Sequence, residues 1–296
     1  MSLITRLLCP VLLAASLPAV AAEPEPLEVF VSLAPQQTFV EAIGGDRVEV
    51  HALVAPGESP HLFEPRPRQI AALAEADLFV RIGASFEEGW LARLRAANPE
   101  LPILDAREGI ELRQLATDHD AHHDHDHGHD HHHGEIDTHI WTSPPLVRVM
   151  AGHLRDTLGA LDPAHAEYFA ANHDRFVAEL DALDAELRER LAGLAHRRFM
   201  VYHPAWGYFA ATYGLEQVAI ERAGKEPGAR ALTALIEQAR REDVRLILVQ
   251  PQLDPRAAER VAEAIDGRVE VLDPLSPEYF ATLRRLAALL TAEEAR

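Results

Sequence analysis

The spacing of apolar positions changes along this chain, and each change marks an element. Leu27 to Leu33 is a β-branched and aromatic run that reads as a strand, and Gln36 to Ile43 follows as a helix stopped at Gly44-Gly45. Arg47 to Val54 alternates and predicts a second strand, entering a turn-rich loop from Ala55 to Pro67 with four prolines. A helix over Gln69–Glu75, a strand over Leu78–Ile82, a helix over Glu87–Ala97 and a strand at Pro102–Leu104 complete the first series. Leu146 to Leu158 reads as a helix after Pro144-Pro145. The later half repeats the rhythm, with strands at Phe199–Tyr202, Glu216–Ile220, Val244–Val249 and Val269–Leu272. Helices are predicted between and after them at 206–213, 231–241, 257–265 and 277–292. Strands alternating with helices imply parallel sheets, whose ligands gather at the carboxyl ends of the strands.

Between the two series lies one long stripe. Phe169, Phe176, Leu180, Leu183, Leu187, Leu191 and Leu194 recur at gaps of seven, four, three, four, four and three. That is one apolar face at helical period, with Glu, Asp and Arg on the others. Asp162-Pro163 reads as its start and Gly193 as its stop, so about thirty residues form a rod of roughly 45 Å. A rod of that length suits a brace spanning two lobes. The expected organisation is a removable segment 1–22, an amino-terminal lobe 23–161, the connecting helix 162–194, and a carboxyl-terminal lobe 195–296.

Composition adds compartment and partner class. In residues 1–22 Arg6 precedes an apolar run, Leu7 to Val20, that ends in small residues, the pattern of a cleaved secretory signal peptide. No later segment has eighteen uninterrupted apolar residues, so no spanning helix is expected. Cys9, the only cysteine, lies in that segment, which leaves the mature chain without a disulfide, a thiolate metal site or a cysteine nucleophile. The formal charge of −19 argues against nucleic acid or an anionic membrane as partner, and suits a protein that handles cations.

Histidine is where the chemistry concentrates. Nine of the seventeen histidines (His119, His122, His123, His125, His127, His129, His131, His132 and His133) fall in the low-complexity stretch 118–134, interleaved with aspartates. Such a stretch cannot build a core and is expected to be a disordered loop, able to collect metal weakly through several imidazoles. Four further residues occupy loop positions near strand ends: His61 in the proline-rich loop, His139 after the histidine stretch, His203 at the end of Phe199–Tyr202, and Asp273 after the last strand. Three imidazoles and a carboxylate converging from such loops would suit zinc. Taken singly, each is an ordinary structural residue. Glu221, Lys225 and Glu226 form a charged stretch at the carboxyl end of another strand, able to line a cleft or meet a partner but expected to be a solvated loop, and Trp206 and Tyr208 are expected to pack the second lobe. A zinc hydrolase finds no support, because the chain has no His-Glu-x-x-His helix and no Gly-x-Ser-x-Gly elbow.

The wording around the four residues decides among these readings. SPHLFEPRP, DTHIW, YHPAWGYFA and VLDPL, in this order, resemble the metal-binding solute receptors of ABC importers, most closely the zinc-receptor branch (ZnuA-like, within the TroA-like cluster A-I group). The resemblance covers essentially the whole mature chain, and a His- and Asp-rich stretch before the second ligand is a further mark of that branch. It implies an α/β fold of two Rossmann-like lobes with parallel sheets, joined by one long rigid backbone helix. It also implies a periplasmic receptor, not an enzyme, that passes Zn2+ as a monomer to an ABC permease and its ATPase subunit in the inner membrane. The implied ligands are His61, His139 and His203, with the fourth position going to Asp273 or to water. Two departures stand out. Some members carry Glu immediately before the first ligand, where this chain has Pro60, which makes Glu58 a poor fourth ligand; and the disulfide of some second lobes is impossible here. Three imidazoles with at most one carboxylate favour zinc over manganese, while copper is not excluded by ligand type. The alternatives are a zinc buffer acting through the histidine stretch and a receptor for manganese or another divalent ion.

Overall fold

The computed structural model describes residues 25–115, 136–221 and 225–294. The expected signal segment 1–22 and the histidine-rich stretch 118–134 lie outside the described residues. The first lobe runs β1 (Leu27–Leu33), α1 (Ala34–Gly44), β2 (Val48–Val54), α2 (Pro67–Ala74), β3 (Leu78–Arg81), α3 (Ser85–Ala97) and β4 (Ile103–Asp105). Two helices follow, α4 (Pro144–Leu161) and α5 (Ala166–Ala192). The second lobe runs β5 (Arg198–Val201), α6 (Gly207–Thr212), β6 (Glu216–Ala219), α7 (Ala229–Arg241), β7 (Leu246–Val249), α8 (Arg256–Ile265), β8 (Arg268–Val271) and α9 (Tyr279–Glu294).

Both sheets are parallel and share one topology. The first has the order β2-β1-β3-β4 and the second β6-β5-β7-β8. In each, the chain leaves its first strand towards one side and then continues on the other. The gap between the first and third strands is therefore a switch point, where crossovers diverge and leave a crevice. A buried carboxylate ties the two strand ends together at that point in the first lobe. Glu87 is fully buried and accepts from Ser32 Oγ, the Ile82 and Gly83 amides and Arg81 Nε, at 2.7 to 3.0 Å. Four donors offset the cost of burying its charge and fix the ends of β1 and β3 together.

The brace differs from the expected rod in its first turn. Asp162 closes α4 instead of opening a single uninterrupted α-helix: its amide donates to Leu158, and its carboxylate takes His165 Nδ1 at 2.7 Å. A short 3-10 turn, Pro163–His165, then enters the 27 residues of α5. The expected stripe is all inside, with Phe169, Phe176, Leu180, Leu183, Leu187, Leu191 and Leu194 buried. The gap of seven in the apolar pattern is filled by buried Asn172, whose Nδ2 donates to the Ile43 carbonyl at the end of α1. The amino-terminal end of α5 thus grips the first lobe, where Tyr168 also donates to Asp46. Its carboxyl-terminal half grips the second, through Asp184 to Tyr213 and Glu186 to Arg284.

Where the lobes meet over α5, their cores fuse. Phe39 of α1 packs edge-on to Tyr279 of α9 with centroids 5.0 Å apart, and Phe176 touches both Phe39 and Phe280. Thr38 Oγ1 donates across the same junction to the Pro277 carbonyl at 2.6 Å. Aromatic pairs of this kind contribute about 0.5–1.5 kcal/mol each beyond their buried area.

Candidate metal centre

The two switch points face one another across a cleft of about 450 Å³. Leu33, Gly83 and Ala84 line it from the first lobe, and His203, Gln250 and Pro274 from the second. Gly83 is needed there: its φ of +80° favours glycine, and an added Cβ would lie 2.2 Å from the guanidinium of Arg107, which also lines the cleft.

Of the four expected ligands, three line this cleft. His61 sits in a 3-10 turn, Pro60–Leu62, at the end of the proline-rich loop after β2. Glu58 in that loop accepts the Ala55 amide on its Oε2 at 3.2 Å. His203 lies two residues past the end of β5 and is buried. Their Nε2 atoms face each other at 3.2 Å. Two nitrogens bound to one tetrahedral zinc at about 2.05 Å each stand about 3.3 Å apart, so this pair already has the spacing of two ligands on one ion. His139 is set further back, its ring centroid 5.3 Å from that of His203.

Each buried imidazole is backed by a carboxylate. His139 Nδ1 meets Asp137 Oδ1 at 2.7 Å, an oxygen that also accepts the His139 amide. His203 Nδ1 meets Glu221 Oε1 at 3.1 Å. With Nδ1–H donated to a carboxylate, the lone pair of each ring lies on Nε2, the atom that faces the cleft in His203. The two carboxylates are themselves buried. Their summed charge of −2 balances that of one divalent cation held by the rings. Among the described residues His61 has no such partner. Burial of its ring, then the neighbouring His203 and His139, push its imidazole down to about 4, with Glu221 acting the other way. The residue as a whole is exposed, while the Nε2 edge of its ring is packed against His203.

Second-lobe residues position the first-lobe ring. Tyr208 on α6 donates its hydroxyl to the Asp137 carbonyl at 2.9 Å and accepts the Arg113 amide at the same distance. Gly207 leaves room for the carboxylate of Asp137, since a Cβ there would come within 2.6 Å of its Oδ2. Trp141 Nε1 reaches the Pro274 carbonyl at 2.8 Å. Tyr208 therefore does more than pack the second lobe, which was its expected role, whereas Trp206 is buried against Phe209 as expected.

The fourth expected ligand, Asp273, follows β8, an edge strand separated from β5 by β7, and is not itself among the residues lining the cleft, although its neighbours Pro274 and Leu275 are. Its Oδ2 accepts Gln252 Nε2 at 3.0 Å and its Oδ1 the Leu275 amide at 2.9 Å. Sequence reasoning also misread Glu221, which is buried behind His203 instead of solvated, although Lys225 and Glu226 beside it are exposed. A signal for it existed. Parallel neighbours in register place residues two beyond Val201 and two beyond Ala219 side by side, and those are His203 and Glu221.

A family model described as ZnuA, zinc-uptake complex component A, periplasmic, matches residues 29–292. The chain belongs to the ZnuA family. That is a family of solute-binding receptors, not enzymes. The high-affinity zinc uptake system protein ZnuA of Bacillus subtilis (strain 168) is 32% identical over 253 residues, covering 84% of this chain and 78% of that protein. The zinc-binding lipoprotein AdcA of Streptococcus pneumoniae serotype 4 is 29% identical over 251 residues, and this chain spans 50% of its length. Among solved structures, a ZnuA deletion mutant with zinc bound superposes with a TM-score of 0.82 at 37% identity, covering 92% of this chain and 100% of that one. The ZnuA fold is thus the fold described above, two parallel α/β lobes on one long helix. No helix among the described residues is long and apolar enough to cross a membrane.

Proposed function

We propose that this chain is a periplasmic receptor that captures Zn2+ between its lobes and passes it, as a monomer, to an ABC permease and its ATPase subunit. The observation that carries the reading is the pair of facing Nε2 atoms, His61 from one lobe and His203 from the other, at tetrahedral ligand spacing. Membership of the ZnuA family and the names of its relatives support zinc as cargo. In the ion-free protein one hydrogen lies between the two nitrogens, donated by His61 because His203 Nδ1–H is turned to Glu221. Zinc takes the place of that hydrogen, with His61 moving its proton to Nδ1. His139 closes in as the third ligand, and water fills the fourth position, with Asp273 held by Gln252 and the Leu275 amide. The histidines between His119 and His133 add weak, accessory sites, and the signal segment 1–22 directs export.

The test is zinc titration against a chelator competitor on the chain from residue 23. One tight site is expected, retained when 118–134 is deleted, lost by about a hundredfold or more in His203→Ala, and changed only a few-fold in Asp273→Asn. Tight binding that disappears with 118–134 and ignores His203 would make the protein a zinc buffer instead. A tight site lost with Asp273→Asn would place that carboxylate on the ion.

A further inference from the structure

At the amino-terminal end of the first sheet, away from the cleft, three metal-capable side chains share one face. Glu28 is on β1, and Glu49 and His51 are on β2. Residues two apart on a strand project to the same side, and the parallel register pairs Glu28 with Glu49 and Phe30 with His51. The three donor atoms all lie within 4.8 Å of one another, the only His/Cys/Asp/Glu group among the described residues drawn together so closely. We propose that Glu28, Glu49 and His51 form a second, weaker divalent-metal site of the zinc class, independent of the cleft and of the transport reading.

Electrostatics favour a cation over an ion pair. Two carboxylates on directly paired positions repel, and one histidine needs only one of them. His51 Nε2 is 2.8 Å from Glu28 Oε2 and 3.8 Å from Glu49 Oε1, so Glu49 adds charge the imidazole does not use. With the ring neutral the trio carries −2, which one divalent ion neutralises. The scaffold is preset. Both strands are held by their ladder, Asp77 Oδ2 takes the Glu28 amide at 2.9 Å, and the Phe30 ring lies 5.0 Å from that of His51 and limits its orientation. One nitrogen and two oxygens match zinc or copper(II) better than soft copper(I). The side chains remain partly exposed, leaving water to complete the coordination and making the site weaker than one enclosed between lobes. Glu28 and the cleft residue Leu33 are five residues apart on one strand, roughly 16 Å, so the two sites cannot share an ion.

The experiment follows the His51 ring by NMR during zinc titration of the chain from residue 23, its Cε1–H resonance assigned by its loss in His51→Ala. The resonance should shift or broaden as zinc is added beyond the equivalent that fills the tight site. Glu28→Gln combined with Glu49→Gln should raise the zinc concentration at half effect by tenfold or more and leave the tight site unchanged. In His203→Ala the His51 response should persist, which separates this site from the cleft. A resonance that stays fixed up to millimolar zinc overturns the proposal. So does a response of equal midpoint in the double variant, which would mean a lone imidazole.

Discussion

His203 Nδ1 meets Glu221 Oε1 at 3.1 Å because the two residues stand at one height just beyond the ends of neighbouring parallel strands, each two positions past the last paired residue. The sheet ladder therefore aims this ring, and no flexible contact is needed. Carboxylates in this position fix the tautomer and raise the basicity of the ligating nitrogen. Glu221→Gln keeps a hydrogen-bond acceptor but loses the charge, and should weaken zinc binding roughly 10- to 100-fold with little loss of thermal stability. Chelator competition and a melting curve on the same sample check both halves. Unchanged affinity would reduce Glu221 to a packing residue.

Gly207 makes the corresponding case for His139. Its missing Cβ leaves room for Asp137 Oδ2, while Oδ1 of the same carboxylate holds the His139 ring and amide. Gly207→Ala should push that carboxylate off its ring, lowering zinc affinity about tenfold and costing about 1–3 kcal/mol of stability by overpacking. Asp137→Asn, which creates no clash, should reproduce the affinity loss with a smaller stability loss. If Gly207→Ala binds zinc like the parent, Asp137 does not govern His139.

The strands, helices and brace were legible because they rest on local periodicity, which tertiary packing then reinforces. All seven stripe residues of 162–194 are inside, and β1 has the bounds its sequence predicts. The lobes' common strand order and the carboxylates behind the imidazoles were not legible. Strand order comes from which crossover packs where, and Asp137 and Glu221 acquire their meaning only once pairing sets them beside a ring. Asn172 was hidden for a related reason: a polar residue in an apolar stripe looks like a gap until its partner, the Ile43 carbonyl, is in place.

His61 supplies a pH signature. Its folded-state value of about 4 lies below the usual 6.5 of the unfolded chain, so as pH falls the unfolded state takes up the proton first. The His61 contribution to stability is thus complete above about pH 6.5 and is lost as pH drops towards 4. Metal-free wild type should lose more melting temperature across that window than His61→Asn does, the difference being the imidazole's own share. Parallel curves for the two proteins would show that His61 titrates normally.

The last relationship concerns motion on binding. Phe39 on α1 and Tyr279 on α9 meet edge-on over Phe176 of the brace, and Trp141, Tyr208 and Thr38 each add a hydrogen bond between lobes. Opening the cleft by rotating whole lobes would break these contacts together, at a cost of several kcal/mol. Drawing His139 towards His61 and His203 needs only a local shift of the short segment around it. A compact chain of this size has a radius of gyration of about 18–19 Å, and solution scattering should find it unchanged within a few per cent between metal-free and zinc-loaded protein. Hydrogen exchange should instead slow on zinc binding at the amides near 55–65 and 137–143, the segments that carry His61 and His139. A contraction of the whole particle on adding zinc would show that the brace hinges, and that the aromatic junction is a pivot instead of a clamp.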